Sequence, residues 1–297
     1  MIENINFTPK ALELIKHAND IARKNNFNAI HPVHLFLGSL RIDSEVNDEL
    51  RTLVIVDEAF IESVLNSSIV DKSSSEYEQI SCEGSSNINI SLLTRDNLFE
   101  AKNKTELFEE HGQIFVNDGQ ILNAILNSED KITQQCLSGL DKDLIISIIA
   151  SPRDMVVNLN GELTINCTED ISIRKVTKNN KDAVSEFVLK NFYERWAKTI
   201  DYGLGLEDIP IYIAMKDDNI VGFAGYNISK QRKGYFGPLG VLKTYRDRKI
   251  GQALLNACLI DMKELGHETC IIGNGSSIEF YEKACGARII PIINKKH

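Results

Sequence analysis

Six cysteines in 297 residues (Cys82, Cys136, Cys167, Cys258, Cys270 and Cys285) are too few and too scattered for a disulfide framework, and none falls in a Cys-x-x-Cys pair. No Cys/His spacing matches a zinc site, and His17, His31, His34 and His111 in the first half have no metal spacing either, so no metal is expected. The longest apolar stretch, around Leu144 to Ala150, is far shorter than a membrane span. The first residues lack a basic segment followed by an apolar core, so no secretory signal is read there. Reduced thiols, no membrane and a cytoplasmic location are the expectation. Positive charge is also scarce, with 33 Lys and Arg against 42 Asp and Glu, a net of -9. The deficit lies at the front: residues 1–155 hold 13 basic against 25 acidic side chains, and the remainder 20 against 17. An acidic front half lacks the basic face that nucleic acid requires.

What is present fits an ordinary folded protein, with 43% hydrophobic and 25% charged residues over a length suited to two domains. A Ser-rich stretch from Asn66 to about Asn89 reads as a loop. Residues 151–169 read as a linker, and Asn160-Gly161 within them has the two-residue turn chemistry of a β-hairpin joining Met155–Leu159 to Glu162–Cys167. The expected domains are therefore 1–150 and 170–297.

The first domain reads as all-α. Thr8-Pro9 is an N-cap followed by proline at the first helical position, with Ala11, Leu12, Leu14, Ile15 and Ala18 at helical spacing. Pro32 opens a second helix, and Glu58 to Leu65 gives a third. The pattern also repeats. Phe7-Thr8 leads to the block Ile30–Leu40, and Leu93-Thr94 leads at the same spacing to Val116–Leu126, a period of 86 residues. This double unit resembles the N-terminal domain of Clp-type unfoldases, two four-helix repeats that each open Phe-Thr-x-x-Ala. The resemblance implies a domain that recruits a protein partner. No Gly-x-x-x-x-Gly-Lys-Ser/Thr follows, so the motor of that family is absent. The family's acidic residue at the helix start falls on Val33 and Gly119, neither of which can pair with a guanidinium.

The second half alternates strands and helices, with a hairpin of Ile211–Met215 and Ile220–Ile228 turning at Asp217-Asp218-Asn219. The next strand, to Val241, contains Gly237-Pro238, and a proline cannot donate to a central ladder, which marks a bulge or an unpaired edge. Arg246-Asp-Arg-Lys-Ile-Gly-Gln-Ala253 then opens a helix. A strand, a glycine-bearing turn and a helix N-terminus together make an anion site, since unpaired N–H groups converge there with the positive end of the helix dipole behind them.

Leu239-Gly-Val241 followed by Arg248-x-x-Gly251-x-Ala253 resembles the acetyl-CoA motif of the GNAT acyltransferase superfamily, Arg/Gln-x-x-Gly-x-Gly/Ala. Downstream, Asn274-x-x-Ser277-x-x-Phe280-Tyr281-Glu282-Lys283 resembles that family's Asn-x-x-Ala-x-x-Phe-Tyr-Glu-Lys segment. The resemblance covers residues 170–297 and implies an α/β fold with a mixed central sheet. It implies an acetyl-CoA site built from Leu239, Val241, Arg246, Arg248, Lys249, Ile250, Gly251, Gln252, Ala253 and Asn274. It also implies Tyr281 as the acid that protonates the departing thiolate. Lys249 stands where many members have glycine.

An aromatic segment holding Tyr193, Trp196 and Tyr202 is where an acceptor would be shaped, although a plain core or surface loop reads equally well. No general base stands out; Glu194, Asp201 and Glu207 lie in the same segment. The implied function is acetyl transfer to a primary amine of a small molecule or protein. The alternative is a catalytically inert CoA-binding adaptor whose helical half recruits a protein partner.

Overall fold

The computed structural model describes residues 5–54, 63, 65, 76–81, 87–106, 115–246 and 248–292. Its packing divides into two units, 1–151 with 291–297, and 152–290.

In the first unit the helices are α1 (Pro9–Lys24), α2 (Pro32–Ser39), α3 (Glu45–Leu53), α4 (Leu92–Glu106), α5 (Asp118–Leu126), α6 (Lys131–Cys136) and α7 (Lys142–Ile149). The expected helix at Glu58–Leu65 falls almost wholly outside the described residues. α1 starts as its sequence dictates: Thr8 Oγ1 accepts the Ala11 N–H at 3.3 Å, and Ala11, Leu14, Ile15, Ala18, Ile21 and Ala22 form its buried face. α2 and α5 start 86 residues apart, as the repeat demands. The two copies also reach across to each other. Phe7 bridges Val116 and Ile30 bridges Ile90, each in parallel, so the opening of one copy pairs with the apolar block of the other.

The repeat is not uniform. Sequence spacing sets Thr94 opposite Thr8, but the cap of α4 is Ser91, whose Oγ accepts the Thr94 N–H at 3.2 Å. Thr94 Oγ1 donates instead to the Ile30 carbonyl at 2.8 Å. The Ser-rich stretch is also not loop throughout. Its described parts include β1 (Tyr77–Ile80) and β2 (Ile88–Ser91), an antiparallel ribbon added to the helices. Gly119 lies against α7, where a Cβ would come within 2.1 Å of the Ile149 carbonyl oxygen, so no larger residue fits that helix start.

The second unit is a seven-stranded mixed sheet. Its strands are β3 (Arg153–Asn158), β4 (Ile171–Lys175), β5 (Ile211–Lys216), β6 (Asn219–Tyr226), β7 (Tyr235–Val241), β8 (Thr269–Gly275) and β9 (Arg288–Ile289), in the order β4-β5-β6-β7-β8-β3-β9. Among the described residues of this sheet, only the β7–β8 pairing is parallel. α8 (Lys181–Asn191) and α9 (Glu194–Leu204) cover β5 and β6, burying Val184, Val188, Ala197 and Ile200 against Ile211, Ile213 and Phe223. α10 (Ile250–Glu264) and α11 (Ile278–Cys285) complete the unit.

The expected hairpin at Asn160-Gly161 does not form. β3 is a strand, but both of its edges are taken, by β8 on one side and β9 on the other, so residues 162–168 have no edge to join. They run along α10 instead, where Asn256 Nδ2 donates to the Thr164 carbonyl at 2.7 Å and Lys263 Nζ to the Gly161 carbonyl at 3.1 Å. The last strand, β9, is two residues long and ends at Ile289. α10 is tied to the sheet through Asp261, which accepts from Tyr212 and Tyr226 hydroxyls at 2.8 Å each and pairs with Lys175 at 2.9 Å. Burial pushes the Asp261 carboxyl up, but Lys175 and the two phenols outweigh it and hold the group below the ordinary carboxylate range.

Candidate functional site

β7 and β8 pair at Tyr235–Ile271 and Phe236–Ile272 and then part. The cause is local to β7. Against β6, residues 237 and 238 lie between the Leu239–Ala224 and Phe236–Tyr226 pairs, where β6 supplies one residue, so Gly237-Pro238 forms the bulge its sequence implies. Pro238 has no N–H to give, and Gly237 takes φ +113°, open to glycine alone. Beyond the bulge, Leu239 to Val241 keep β6 as partner and present their other backbone edge to the gap.

The turn after β7 delivers α10 to the mouth of that gap. A Cβ on Gly251 would lie 3.4 Å from Phe280 Cζ and 3.9 Å from Val241 Cγ2, so the end of β7, the start of α10 and the start of α11 converge on one point. The first-turn N–H groups of a helix have no intrahelical partner, and Ile250, Gly251 and Gln252 occupy that turn. Ala253 is fully buried beneath them, and Gln252 Nε2 reaches the Ala284 carbonyl at 3.5 Å.

The residue whose backbone calls for glycine is Lys249, at φ +60° and ψ +10°, not Gly251, which is helical. Its left-handed conformation aims the chain into the helix. Arg246 folds back onto the end of β7, with Nη2 3.2 Å from the Val241 carbonyl, and so braces the turn. Arg248 is exposed; it stacks over the Tyr245 ring at 5.5 Å and meets Asp170 at 3.4 Å. Lys216 also holds Asp170, and a hydrogen bond from it keeps that carboxyl down at about 2.

Tyr281 is half-buried beside Phe280 and Phe236, at ring separations of 5.0 and 6.3 Å. Burial pushes its phenol well above the ordinary tyrosine value, with the neighbouring Cys285 and Cys270 adding to the effect, so it stays protonated throughout the neutral range. Asn274 takes a left-handed φ of +52° and donates its N–H to Asp154 Oδ1 at 2.8 Å. Asp154 is a contact the sequence reading missed. It comes from β3, inside the stretch read as a linker, and no motif marks it.

The aromatic segment folds as helix α9, with Tyr193 at its N-cap. Phe192 and Trp196 stack at 5.9 Å, Tyr193 meets Trp196 edge-on at 5.3 Å, and Phe223 completes the cluster. The Phe192 ring lies over the part of β7 that has left β8, where a Cβ on Gly240 would come within 2.6 Å of it. Tyr202 does not join them. It is 38% exposed on another face of α9, and no ring contact ties it to Tyr193 or Trp196 among the described residues. The acidic side chains of this segment are spent on the surface, Glu194 on Lys198 at 2.7 Å and Asp201 on the Ser185 hydroxyl at 2.6 Å.

Residues 177–287 match the model of the acetyltransferase (GNAT) family. Among solved structures, a GCN5-related N-acetyltransferase from Sphaerobacter thermophilus is similar at 22% identity and a TM-score of 0.38, over 47% of this chain and 49% of that one, so the likeness spans about half the length of that protein. The N-terminal domain of Hsp104 from Candida albicans is similar at 18% identity and a TM-score of 0.34, over 48% of this chain and 89% of that one. That of the chaperone ClpD from Arabidopsis thaliana is similar at 15% identity and 0.33, over 48% and 92%. No curated protein matches in sequence. Among the described residues no helix is long and apolar enough to cross a membrane. Through residues 177–287, which hold the parted strands, the turn into α10 and Tyr281, the chain carries an acetyltransferase domain of the GNAT family.

Proposed function

We propose that the second unit transfers the acetyl group of acetyl-CoA to a primary amine of a small molecule or protein, by direct attack in a ternary complex. The observation that carries this reading is the gap between β7 and β8, opened by the Gly237-Pro238 bulge and closed at one end by the start of α10. The residues fit the donor. A pantetheine arm is a chain of amides, and the edge of Leu239 to Val241 that faces the gap supplies their hydrogen-bond partners. A pyrophosphate needs converging N–H groups, a positive dipole end and close approach; Lys249 to Ala253 supply the first two, and Gly251 the room for the third. Lys249, Arg248 and Arg246 add positive charge at the rim.

Bound acetyl-CoA supplies an activated acyl group. The protein's part is to hold that group and a neutral amine within reach of each other, which removes most of the entropic barrier to a bimolecular step. Tyr281, kept protonated by its surroundings, hands its proton to the leaving sulfur. The wall of Phe192, Tyr193 and Trp196 borders the same stretch of β7 and excludes water from the acceptor's approach. The first unit is read as the part that engages a protein partner.

Calorimetry with acetyl-CoA tests the reading. Binding is expected, together with a rise in melting temperature, and Gly251→Glu is expected to abolish both by placing a carboxylate where phosphate would lie. Absence of binding by the wild-type protein rejects the proposal.

A further inference from the structure

The acetyl-transfer reading leaves the acceptor's proton without a destination, since the carboxylates of the aromatic segment face the surface. Beyond Phe236 and Ile272, β8 continues as Gly273-Asn274-Gly275 with β3 as its neighbour. Arg153 stands opposite Gly275 and Met155 opposite Ile272, so Asp154 alone spans Gly273 and Asn274. The left-handed backbone of Asn274 breaks the usual alternation of the strand. As a result Gly273 and Gly275 look to opposite faces. A Cβ on Gly273 would lie 3.6 Å from the Tyr235 ring and 3.8 Å from Asp154 Oδ1, whereas one on Gly275 would lie 3.4 Å from the Tyr281 ring. The end of β8 thus has a phenol on one side and a carboxylate on the other, at the place where β8 has left β7. Asp154 is half-exposed, and among the described residues its carboxylate is hydrogen-bonded by the Asn274 N–H through one oxygen.

We propose that Asp154 is a catalytic residue, the base that binds the acceptor amine and takes its proton, and that it is supplied by a strand outside the stretch matching the family model. This inference rests on the acetyl-transfer reading. The amine donates one N–H to Asp154, and its lone pair forms the C–N bond at the thioester carbonyl. That nitrogen's proton passes to the Asp154 carboxylate, the C–S bond breaks, and the sulfur leaves with the Tyr281 proton. Return of the proton from Asp154 to the Tyr281 oxygen through solvent restores both groups, so amine and thioester give amide and thiol with no net proton change. The Oδ1 that accepts from Asn274 fixes the carboxyl orientation and leaves Oδ2 for the substrate.

Asp154→Asn tests this, because an amide oxygen still accepts the Asn274 N–H while the base is lost. Thiol release from acetyl-CoA is followed from pH 6 to 10 with a pool of arylalkylamines, diamines and peptides bearing a free N-terminus, and acetyl-CoA affinity is measured by calorimetry. The variant is expected to bind acetyl-CoA within about twofold of wild type, with kcat/KM lower on the order of 10²-fold near neutrality. Added acetate or imidazole is expected to recover part of that deficit by taking the attacking nitrogen's proton in place of the missing carboxylate, a rescue a structural role would not produce. Turnover within about threefold of wild type at every pH, or lost acetyl-CoA affinity in the variant, overturns the inference alone. Silence of the wild-type protein toward the whole pool overturns the acetyl-transfer reading and this inference with it.

Discussion

Lys249 holds a conformation that an L-residue adopts at a cost of roughly 1–2 kcal/mol. Glycine escapes that cost, though it gives back part of the gain through a more flexible unfolded chain. Lys249→Gly is therefore expected to raise the melting temperature, by up to about 1 kcal/mol in stability, and to weaken acetyl-CoA binding a few-fold by removing an exposed charge. The two effects run in opposite directions, and one variant measured by melting and by calorimetry reads both. The same residue explains how the motif lies on the backbone. Sequence spacing places the glycine of Arg-x-x-Gly-x-Gly/Ala at Gly251, whereas the position of this turn whose backbone favours glycine is 249, a difference that only φ reveals.

Capping links a residue to its helix, and the first unit repeats the device with different chemistry. Ahead of α2, the His31 N–H donates to His34 Nδ1 at 2.9 Å; ahead of α5, the Asn117 N–H donates to Gln120 Oε1 at 2.9 Å. His34 and Gln120 stand one repeat apart. His34 is fully buried, and burial first, then the charge of His31, pushes its imidazole down to about 3. A depressed folded value means that the unfolded chain takes up the proton first. The stabilising contribution is then complete above pH 6.5 and is lost as pH falls from there toward 3. By pH 5 the loss is about 2 kcal/mol. His34→Gln keeps the cap and removes the titration, so its melting curves are expected to diverge upward from wild type between pH 7 and pH 5. Equal acid sensitivity in the two proteins would place the loss elsewhere.

Across the whole molecule, what could be read from sequence followed from local causes. Thr8-Pro9, the Asp217-Asp218-Asn219 turn and the Gly237-Pro238 bulge each act through their own backbone preferences, and each stands where those preferences put it. In α9 the apolar spacing of Ala197, Ile200 and Leu204 is interrupted by Gly203 and crowded by rings, so the sequence leaves an acceptor wall, a plain core and a surface loop equally open there. β3 was read as half of a hairpin because Asn160-Gly161 is a good turn, and nothing nearby announces that β8 and β9 will occupy both of its edges. Asp154 was missed for the same reason, since its place at the gap depends on a partner more than a hundred residues away. A fragment beginning at residue 170, where the family likeness begins, would lack this inner strand and expose the edges of β8 and β9. It is expected to be insoluble, whereas one beginning at residue 152 stays soluble and binds acetyl-CoA; expression and gel filtration of the pair decide it.

The insertion of β3 also orders events in time. A ribosome releases residues 153–158 before any other strand of the sheet and releases both of their neighbours, 269–275 and 288–289, last. For most of the synthesis of this domain its first strand has nothing to pair with, and the sheet closes only when β8 and β9 have emerged. Pausing after β3 has emerged and before β8 and β9 have would then hold the chain in a state with two unmatched strand edges, the state most exposed to aggregation and to chaperone capture.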